Sequence, residues 1–497
     1  MSVASQLYDR LNAAFSGETL KRKVFRGGAW LGVGSVLEQI FRFGRSMALA
    51  RLLAPEAFGI MAIIGSSSSI FHTITDIGVK EGLIRHPRGA EAEYKGAAWW
   101  LSCGRAVGLY AIFFSIAPLI ARFYGNPELS PLLRVVTLGV IFDGIYSSNA
   151  YIALKEMKFG RWAWMNNGAG ICGIVLTVVM SFFIRDVWAL VFGNLAESVL
   201  RCIFSYILSP YIPLLKWSSE AVHDLLRFSK GLFGITFLNL IFARTDIFVL
   251  GKLYSSAELG LYVMAVYLAQ VPGNYVTGLV NQTLLPVFSE VQEDSHRINR
   301  ILMSASSLVL MLGLPVCVFT LFCGHSVLAI VLGSRYSAVA TSLVAAACVA
   351  LINVLNNLLT TALYAKGLPS EHRNCVAIMA VIMIMLVYPL SKSFGLLGGQ
   401  LAIVTAIIIG YVFQLWRMRE ITGFNLSGYA KVFGFWAVVS VTVAVSYLAT
   451  RHFLDVRRPW ANIASGLLGC ILAYGLGAAA YSRASKGKIL AGTALSS

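Results

Sequence analysis

The chain has 497 residues, of which 57% are hydrophobic and 13% charged, with a formal net charge of +17. A soluble domain carries about a quarter charged residues, so this composition excludes a water-soluble globule and requires a protein built inside a bilayer. Apolar runs recur from end to end with no long hydrophilic segment between them, which leaves no room for a soluble catalytic domain.

The first 23 residues, which close on Lys21, Arg22 and Lys23, lack the short apolar core and small-residue cleavage site of a secretory signal. They are expected to form a cytoplasmic N-terminal arm. A window of about 19 residues then marks fourteen spans. In chain order they are 24–50, 58–84, 96–121, 132–154, 162–184, 187–209, 228–251, 258–288, 301–323, 338–365, 374–391, 394–416, 432–450 and 461–482. The second is the least regular because it carries Asp76, Lys80 and Glu81, and the eighth because Pro272 and Gly273 interrupt it. With fourteen spans, Lys and Arg are in excess in the loops on the side of the N-terminus. The positive-inside rule therefore predicts that both termini are cytoplasmic. The basic balance is thus a matter of membrane orientation, and no nucleic acid is implied.

The eight cysteines are scattered through apolar segments with no CxxC or Cys/His spacing, so no metal site, cofactor or disulfide framework is expected. No GxxxxGK[ST] occurs, so this chain splits no ATP. Gly104 and Gly108, and the group Gly168, Gly170 and Gly173, are expected to let helices pack closely. Trp99, Trp100, Trp162, Trp164 and Trp188 fall near span ends, where interfacial belts form.

An internal repeat underlies the pattern. Shifted by about 201 residues, "FRGGAWLGVGSVLEQIFRFGRSMALARLL" falls on "LRFSKGLFGITFLNLIFARTDIFVLGKLY", and Leu49 and Leu52 meet Leu250 and Leu253. Farther on, "YIALKEMKFG" pairs with "TALYAKGLPS" at a shift near 210. The expected fold is an all-α polytopic membrane protein of about 14 transmembrane helices. It comprises the arm 1–23, a six-helix bundle over 24–212, a related six-helix bundle over 213–425, and two additional helices with a tail over 426–497. Six is even, so the repeat is parallel, and transporters built this way place their substrate path between halves.

The segments "GGAWLGVGSVLEQ", "LARLLAPEAFGIMAI", "TDIGVKEGLIRHP", "ARFYGNPELSPLLRV", "YIALKEMKFGRWAW", "RFSKGLFG" and "LLPVFSEVQED" carry a family resemblance in their order and spacing. The chain resembles the polysaccharide-exporter branch of the multidrug/oligosaccharidyl-lipid/polysaccharide superfamily, the Wzx-like O-antigen and exopolysaccharide flippases, over roughly residues 22–420. The resemblance implies a flippase of the bacterial inner membrane. Such a flippase moves a polyprenyl-diphosphate-linked oligosaccharide from the inner to the outer leaflet by alternating access, for lipopolysaccharide or exopolysaccharide biosynthesis. It implies a lipid-linked oligosaccharide as substrate, membrane lipid as surroundings, and a polysaccharide polymerase or export machinery as partner. Two other classes compete with this one: a small-molecule or cation antiporter of the same superfamily, and a membrane glycosyltransferase or polymerase. The antiporter would favour acidic and aromatic cavity residues, whereas in-span acids and bases are nearly balanced here. The enzyme would need a large extramembrane loop, and the longest loops are about 20 residues.

Under this reading the intramembrane charges acquire a role. Glu38, Arg42 and Arg45 lie four and three residues apart, on one stripe of a helix. Each charge at the centre of a span costs about 2.5–3.5 kcal/mol, so the stripe must face water or other charges. Arg binds diphosphate oxygens through paired hydrogen bonds and keeps its proton. Arg42, Arg45, Arg105 and Arg244 are therefore the candidate substrate-binding residues. Glu38, Asp76, Asp143 and Asp246 are the candidate counterions or coupling-ion ligands. The competing assignment is internal salt bridging: Glu38 to Arg42, Glu197 to Arg201, and Arg244 to Asp246. For Glu197 and Arg201 that assignment is preferred.

Overall fold

The computed structural model describes residues 20–75, 78–213, 218–229 and 233–453, with 463 and 466 as isolated positions. A helix occupies each of the first thirteen expected spans. The fourteenth, the N-terminal arm before Leu20, and Asp76 lie outside the described residues. Among the described residues, eight helices are long and apolar enough to cross a bilayer, and one bent pair makes a ninth. Helices also lie over expected spans one, two, seven and eight.

Helix α1 (Leu20–Leu52) ends where Pro55 opens α2 (Pro55–Thr75). Proline suits a first helical turn and disfavours helix in the residue before it. The second expected span is not one helix. It stops at Thr75 and resumes as α3 (Val79–Arg85), because Gly78 takes a left-handed conformation at φ 56°. Helix α4 (Ala92–Tyr124) then crosses without a break. The fourth expected span is α5 (Leu129–Gly144) and α6 (Ser148–Lys155), bent by 58°. The fifth joins the short α7 (Phe159–Ala163) to α8 (Ala169–Phe183) through a π-helical turn, Trp164–Gly168. Helix α9 (Val187–Leu208) follows, capped by the Asp186 carboxylate on the Val187 amide. An amphipathic helix, α10 (Ser219–Ser229), forms where the sequence reading placed a loop. It seats Ala221 and Leu225 on Val79, Leu83, Tyr94 and Ala97. The Tyr94 hydroxyl donates to Asp224 at 2.8 Å.

Helix α11 (Phe233–Leu253) leads to α12 (Ser256–Glu290), which starts with a capping box between Ser255 and Glu258. The interruption expected at Pro272 and Gly273 is absent, and α12 runs through both. Prolines are tolerated in membrane helices where neighbours re-satisfy the backbone. At Gly273 the helix also presses close to another: an added Cβ would lie 3.1 Å from that of Ala350. There follow α13 (Ser295–Val331), α14 (Ala340–Ala365), α15 (Pro369–Phe394), α16 (Leu396–Thr422) and α17 (Leu426–Phe453).

The repeat is visible in the element boundaries. Leu52 and Leu253 end helices, and Pro55 and Ser256 begin the next ones, each pair 201 positions apart. Lys155 and Ala365 end helices and Phe159 and Pro369 begin them, each pair 210 apart. Met157 (φ 57°) and Gly367 (φ 73°) hold the same left-handed position in these two turns.

The chain divides into two compact units, Met1–Leu240 and Ile241–Ser497. In the first, small residues bring helices together. An added Cβ on Gly173 of α8 would lie 3.0 Å from the Glu197 Cα of α9. One on Gly144 of α5 would lie 2.2 Å from the Ala106 Cβ of α4. This is the close small-residue packing that replaces the hydrophobic effect between helices in lipid. In the second unit a core of Phe288, Ile298, Leu310, Leu358, Phe424 and Trp436 joins α12, α13, α14 and α17. The indole of Trp436 donates to Ser307 at 2.9 Å.

Candidate functional site

In the first unit the close packing of α1, α8 and α9 gathers the charged side chains. Arg42 Nε donates to Glu38 Oε1 at 2.9 Å, one turn away on α1. Its Nη2 donates to Glu197 Oε1 of α9 at 2.7 Å. The same Glu197 oxygen accepts from Arg201 Nη2 at 2.9 Å. Two of the expected salt bridges, Glu38–Arg42 and Glu197–Arg201, therefore form, and Arg42 welds them into a single chain of four charges. The Glu197 side chain is only 11% exposed, so both guanidinium groups depend on an oxygen that water scarcely reaches.

Glycines make the space. An added Cβ on Gly170 would come within 2.9 Å of Glu38 Oε1 and 3.6 Å of Arg42 Nη2. Gly170 and Gly173 thus serve the charged side chains as well as helix packing.

Two more ionisable groups complete this core. Asp143 of α5 interacts electrostatically with Arg201, Glu197 and Arg105. Arg105 comes from α4, whose approach to α5 at Ala106 and Gly144 brings it beside Asp143. Acids and bases balance in number: Glu38, Asp143 and Glu197 against Arg42, Arg105 and Arg201. Hydrogen bonding does not balance. Arg105 Nη1, Arg201 Nε and Asn167 Nδ2 are buried with no acceptor among the described residues. An unmet buried donor costs about 1–3 kcal/mol, more on a charged group, so these three donors are suited to an incoming anion or hydroxyl oxygen. Asn167 owes its place to the π-helical turn, which sets its Nδ2 where a Cβ on Gly34 of α1 would be 2.6 Å away. Such turns occur often at functional sites. Around the turn, Tyr146, Tyr151 and Trp162 form an aromatic group, with Lys80 Nζ 5.0 Å from the Trp162 ring centre.

Arg45 is among the residues that line an apolar groove between α1 and α8. In the second unit, Asp246 is buried on α11, and its Oδ2 accepts from the Tyr262 hydroxyl at 2.8 Å. Tyr262 in turn accepts from Gln400 Nε2 at 2.7 Å. Asp246 Oδ1 has no partner among the described residues. Arg244 interacts electrostatically with Asp246, but the two form no ion pair among the described residues. Residues two apart on a helix point in different directions. Of this first core, Glu38, Arg42, Arg105 and Asp143 are expected from the sequence as site residues and Glu197 and Arg201 as a structural pair, while Asn167 is not. Only the neighbouring glycine cluster marked its position.

No metal-binding group of three or more His, Cys, Asp or Glu occurs among the described residues. Residues 48–341 match the family model described as polysaccharide biosynthesis protein. The chain is similar to the lipopolysaccharide biosynthesis protein WzxC of Escherichia coli K12, 23% identical over 353 residues, which are 70% of this chain and 71% of the relative. It is similar to the teichuronic acid biosynthesis protein TuaB of Bacillus subtilis 168, 21% identical over 450 residues, 88% of this chain and 91% of the relative. The succinoglycan biosynthesis transport protein ExoT of Rhizobium meliloti 1021 is 26% identical over 305 residues, 59% of each chain. In three dimensions the fold resembles the lipid II flippase MurJ in its inward closed conformation. The TM-score is 0.74 and the identity 15%, over 91% of this chain and 98% of that one. It also resembles an inward-facing multidrug resistance MATE family transporter of the MOP superfamily, with a TM-score of 0.60 at 15% identity over 77% and 95% of the two chains. The family match covers more than half the sequence of this all-helical, multi-span membrane protein, and the chain belongs to the polysaccharide biosynthesis protein family.

Proposed function

We propose that the protein is a flippase that moves a polyprenyl-diphosphate-linked oligosaccharide from the inner to the outer leaflet of a bacterial inner membrane. Both termini are cytoplasmic in this reading. The bundles 24–212 and 213–425 are the two repeats, and 426–497 adds two helices and a tail. The observation that carries the proposal is the set of unmet donors, Arg105 Nη1, Arg201 Nε and Asn167 Nδ2, in a charge-balanced core inside the bilayer. A diphosphate entering hydrocarbon bare meets a prohibitive desolvation cost, and such donors replace the water it leaves.

In the empty core, Glu38 and Glu197 hold Arg42, and Glu197 holds Arg201. A diphosphate oxygen at Arg105 and Arg201 competes with the carboxylates for the guanidinium groups. The carboxylates then take Arg42 and Arg201 back when the headgroup leaves, so the site binds and releases without stranding a charge. Alternating access exposes the core to each leaflet in turn. Arg244 is the substrate contact of the second unit, and Asp76 and Asp143 are further counterions. Asp246, with one carboxylate oxygen unengaged, is the coupling-ion ligand. The named relatives that act in lipopolysaccharide, succinoglycan and teichuronic acid biosynthesis favour this reading over drug or cation antiport. They also favour a transporter over an enzyme.

The test is genetic and biochemical. Deletion of the gene should leave lipid-linked glycan on the cytoplasmic leaflet, and the wild-type chain should restore its export. Arg105→Ala should reach the membrane at normal levels and lower export at least about a hundredfold, the loss of roughly 3 kcal/mol expected for a charge-assisted contact. Full restoration by Arg105→Ala would remove the site assignment. Drug resistance on overexpression, with no effect on glycan export, would favour the antiporter.

A further inference from the structure

Helix α12 carries a polar stripe that no charge interrupts. Tyr267, Gln270, Asn274, Thr277 and Asn281 recur at steps of three and four residues, which puts them on one face of the helix. They occupy the middle of the eighth expected span. On α14, Asn353, Asn357 and Thr361 follow one another at four-residue steps. The two faces meet: Asn357 Nδ2 donates to Asn281 Oδ1 at 2.9 Å, and the Thr361 hydroxyl lies 3.1 Å from the same oxygen. No residue of α14 is charged, and none from Tyr267 to Thr283 on α12.

Asn274, Asn281 and Asn353 are exposed, and Gln270 and Asn357 are half-buried. Lipid is not what they face, because an amide in hydrocarbon without a hydrogen-bond partner is costly. Helix α12 turns a different side to lipid: Leu279, 62% exposed, stands about 200° round the helix from Asn281. A third side, with Val276 and Val280, packs in the apolar core of the unit. The stripe is therefore wet at bilayer depth. Bonding between helices accounts for Asn281, Asn357 and Thr361, but not for the exposed Asn274 and Asn353.

A side-chain amide has two N–H donors and an acceptor oxygen, and a sugar hydroxyl likewise donates and accepts. Uncharged groups of this kind match the hydroxyls of a pyranose ring. They offer no opposite charge to a phosphate or an organic cation. Tyr267 adds an aromatic ring to the same face.

We propose that the α12–α14 strip is a carbohydrate subsite, at which Gln270, Asn274, Asn281, Asn353 and Asn357 hydrogen-bond uncharged sugar hydroxyls of the lipid-linked glycan. The inference rests on the flippase reading and adds a contact for the glycan, where the ion-paired core of the first unit serves the diphosphate. It also gives the difference between the two units a chemical reason: charged groups suit the charged part of the substrate, and neutral amides the neutral part.

Two fluorescent probes, polyprenyl diphosphate and polyprenyl diphosphate carrying one galactose, are titrated onto the full-length protein in phosphatidylcholine nanodiscs. The wild type should bind the galactosylated probe more tightly. Asn274→Leu and Asn353→Leu should each weaken that binding about tenfold and leave the bare probe within about twofold, a selective loss of neutral hydrogen bonds. Asn353→Gln should restore part of it. Equal affinity of the wild type for both probes would overturn the strip alone, as would variants that lose both probes alike. Failure of either probe to bind the wild type would sink the flippase reading and the strip with it. Wetness is read separately in a background without native cysteines. Asn274→Cys and Asn353→Cys should react with a water-soluble maleimide and be protected by the galactosylated probe, while Leu279→Cys should stay unlabelled. Unreactive cysteines at both asparagine positions would overturn the proposal whatever the probes do.

Discussion

At the scale of single residues, Glu197 is the hinge of the candidate site. One of its oxygens accepts from both Arg42 and Arg201, at 2.7 and 2.9 Å. Removing one partner of a buried ion pair strands the other charge, at a cost of about 3–5 kcal/mol. Glu197→Ala takes from Arg201 its hydrogen-bonded carboxylate, leaving only the electrostatic contact with Asp143, and leaves Arg42 with Glu38 alone. It should therefore destabilise the detergent-solubilised protein by about 3 kcal/mol or more. Arg201→Ala, which leaves Glu197 still paired with Arg42, should cost clearly less. Thermal unfolding of the two variants checks this, and equal losses would show that Glu197 is not the shared hub. The i,i+4 spacings of Glu38–Arg42 and Glu197–Arg201 are plain in the sequence. The 155-residue separation of Arg42 from Glu197 is not, because no local rule pairs residues on different helices.

At the scale of elements, the two repeats close the same turn with different residues. After α6, the Met157 amide donates to the Leu154 carbonyl at 3.0 Å and the Lys158 amide to Ala153 at 2.8 Å. After α14, Gly367 donates to Tyr364 at 3.0 Å and Leu368 to Leu363 at 2.9 Å. This is one helix stop built twice, and it needs a left-handed residue at its centre. Glycine meets that need without strain, while a side chain there costs about 1–2 kcal/mol. Met157→Gly should thus stabilise the protein by about 1 kcal/mol, seen as a raised unfolding temperature. A lowered one would mean that the Met157 side chain contributes more than its backbone strain costs. The sequence pairing of "YIALKEMKFG" with "TALYAKGLPS" already placed these turns opposite each other. The bend between α5 and α6 and the π-helical turn were not legible. Both are set by packing against neighbouring helices, and neither leaves a proline or charge run at the break.

At the scale of the whole molecule, membrane orientation is a testable consequence of charge placement. In a background without native cysteines, Glu128→Cys lies in the turn between α4 and α5, and Ser370→Cys lies at the start of α15. With both termini cytoplasmic, a membrane-impermeant maleimide added to spheroplasts should label Glu128→Cys at once. It should reach Ser370→Cys only after permeabilisation. The opposite pattern would invert the protein.

The sequence by itself determined that this is a many-helix membrane protein built on a repeat, because span length, hydropathy and turn residues are local properties that the bilayer reads directly. It also supplied most members of the charged core, since an ionisable residue inside a span stands out against its apolar neighbours. Tertiary structure alone decided which charges meet. The glycine faces of α8 and the close approach of α4 to α5 set side chains from four helices within hydrogen-bonding or electrostatic reach of one another. They also turned Arg42 onto Glu197, a partner from another helix. Distance between helices is a property of packing, and no periodicity along one chain encodes it.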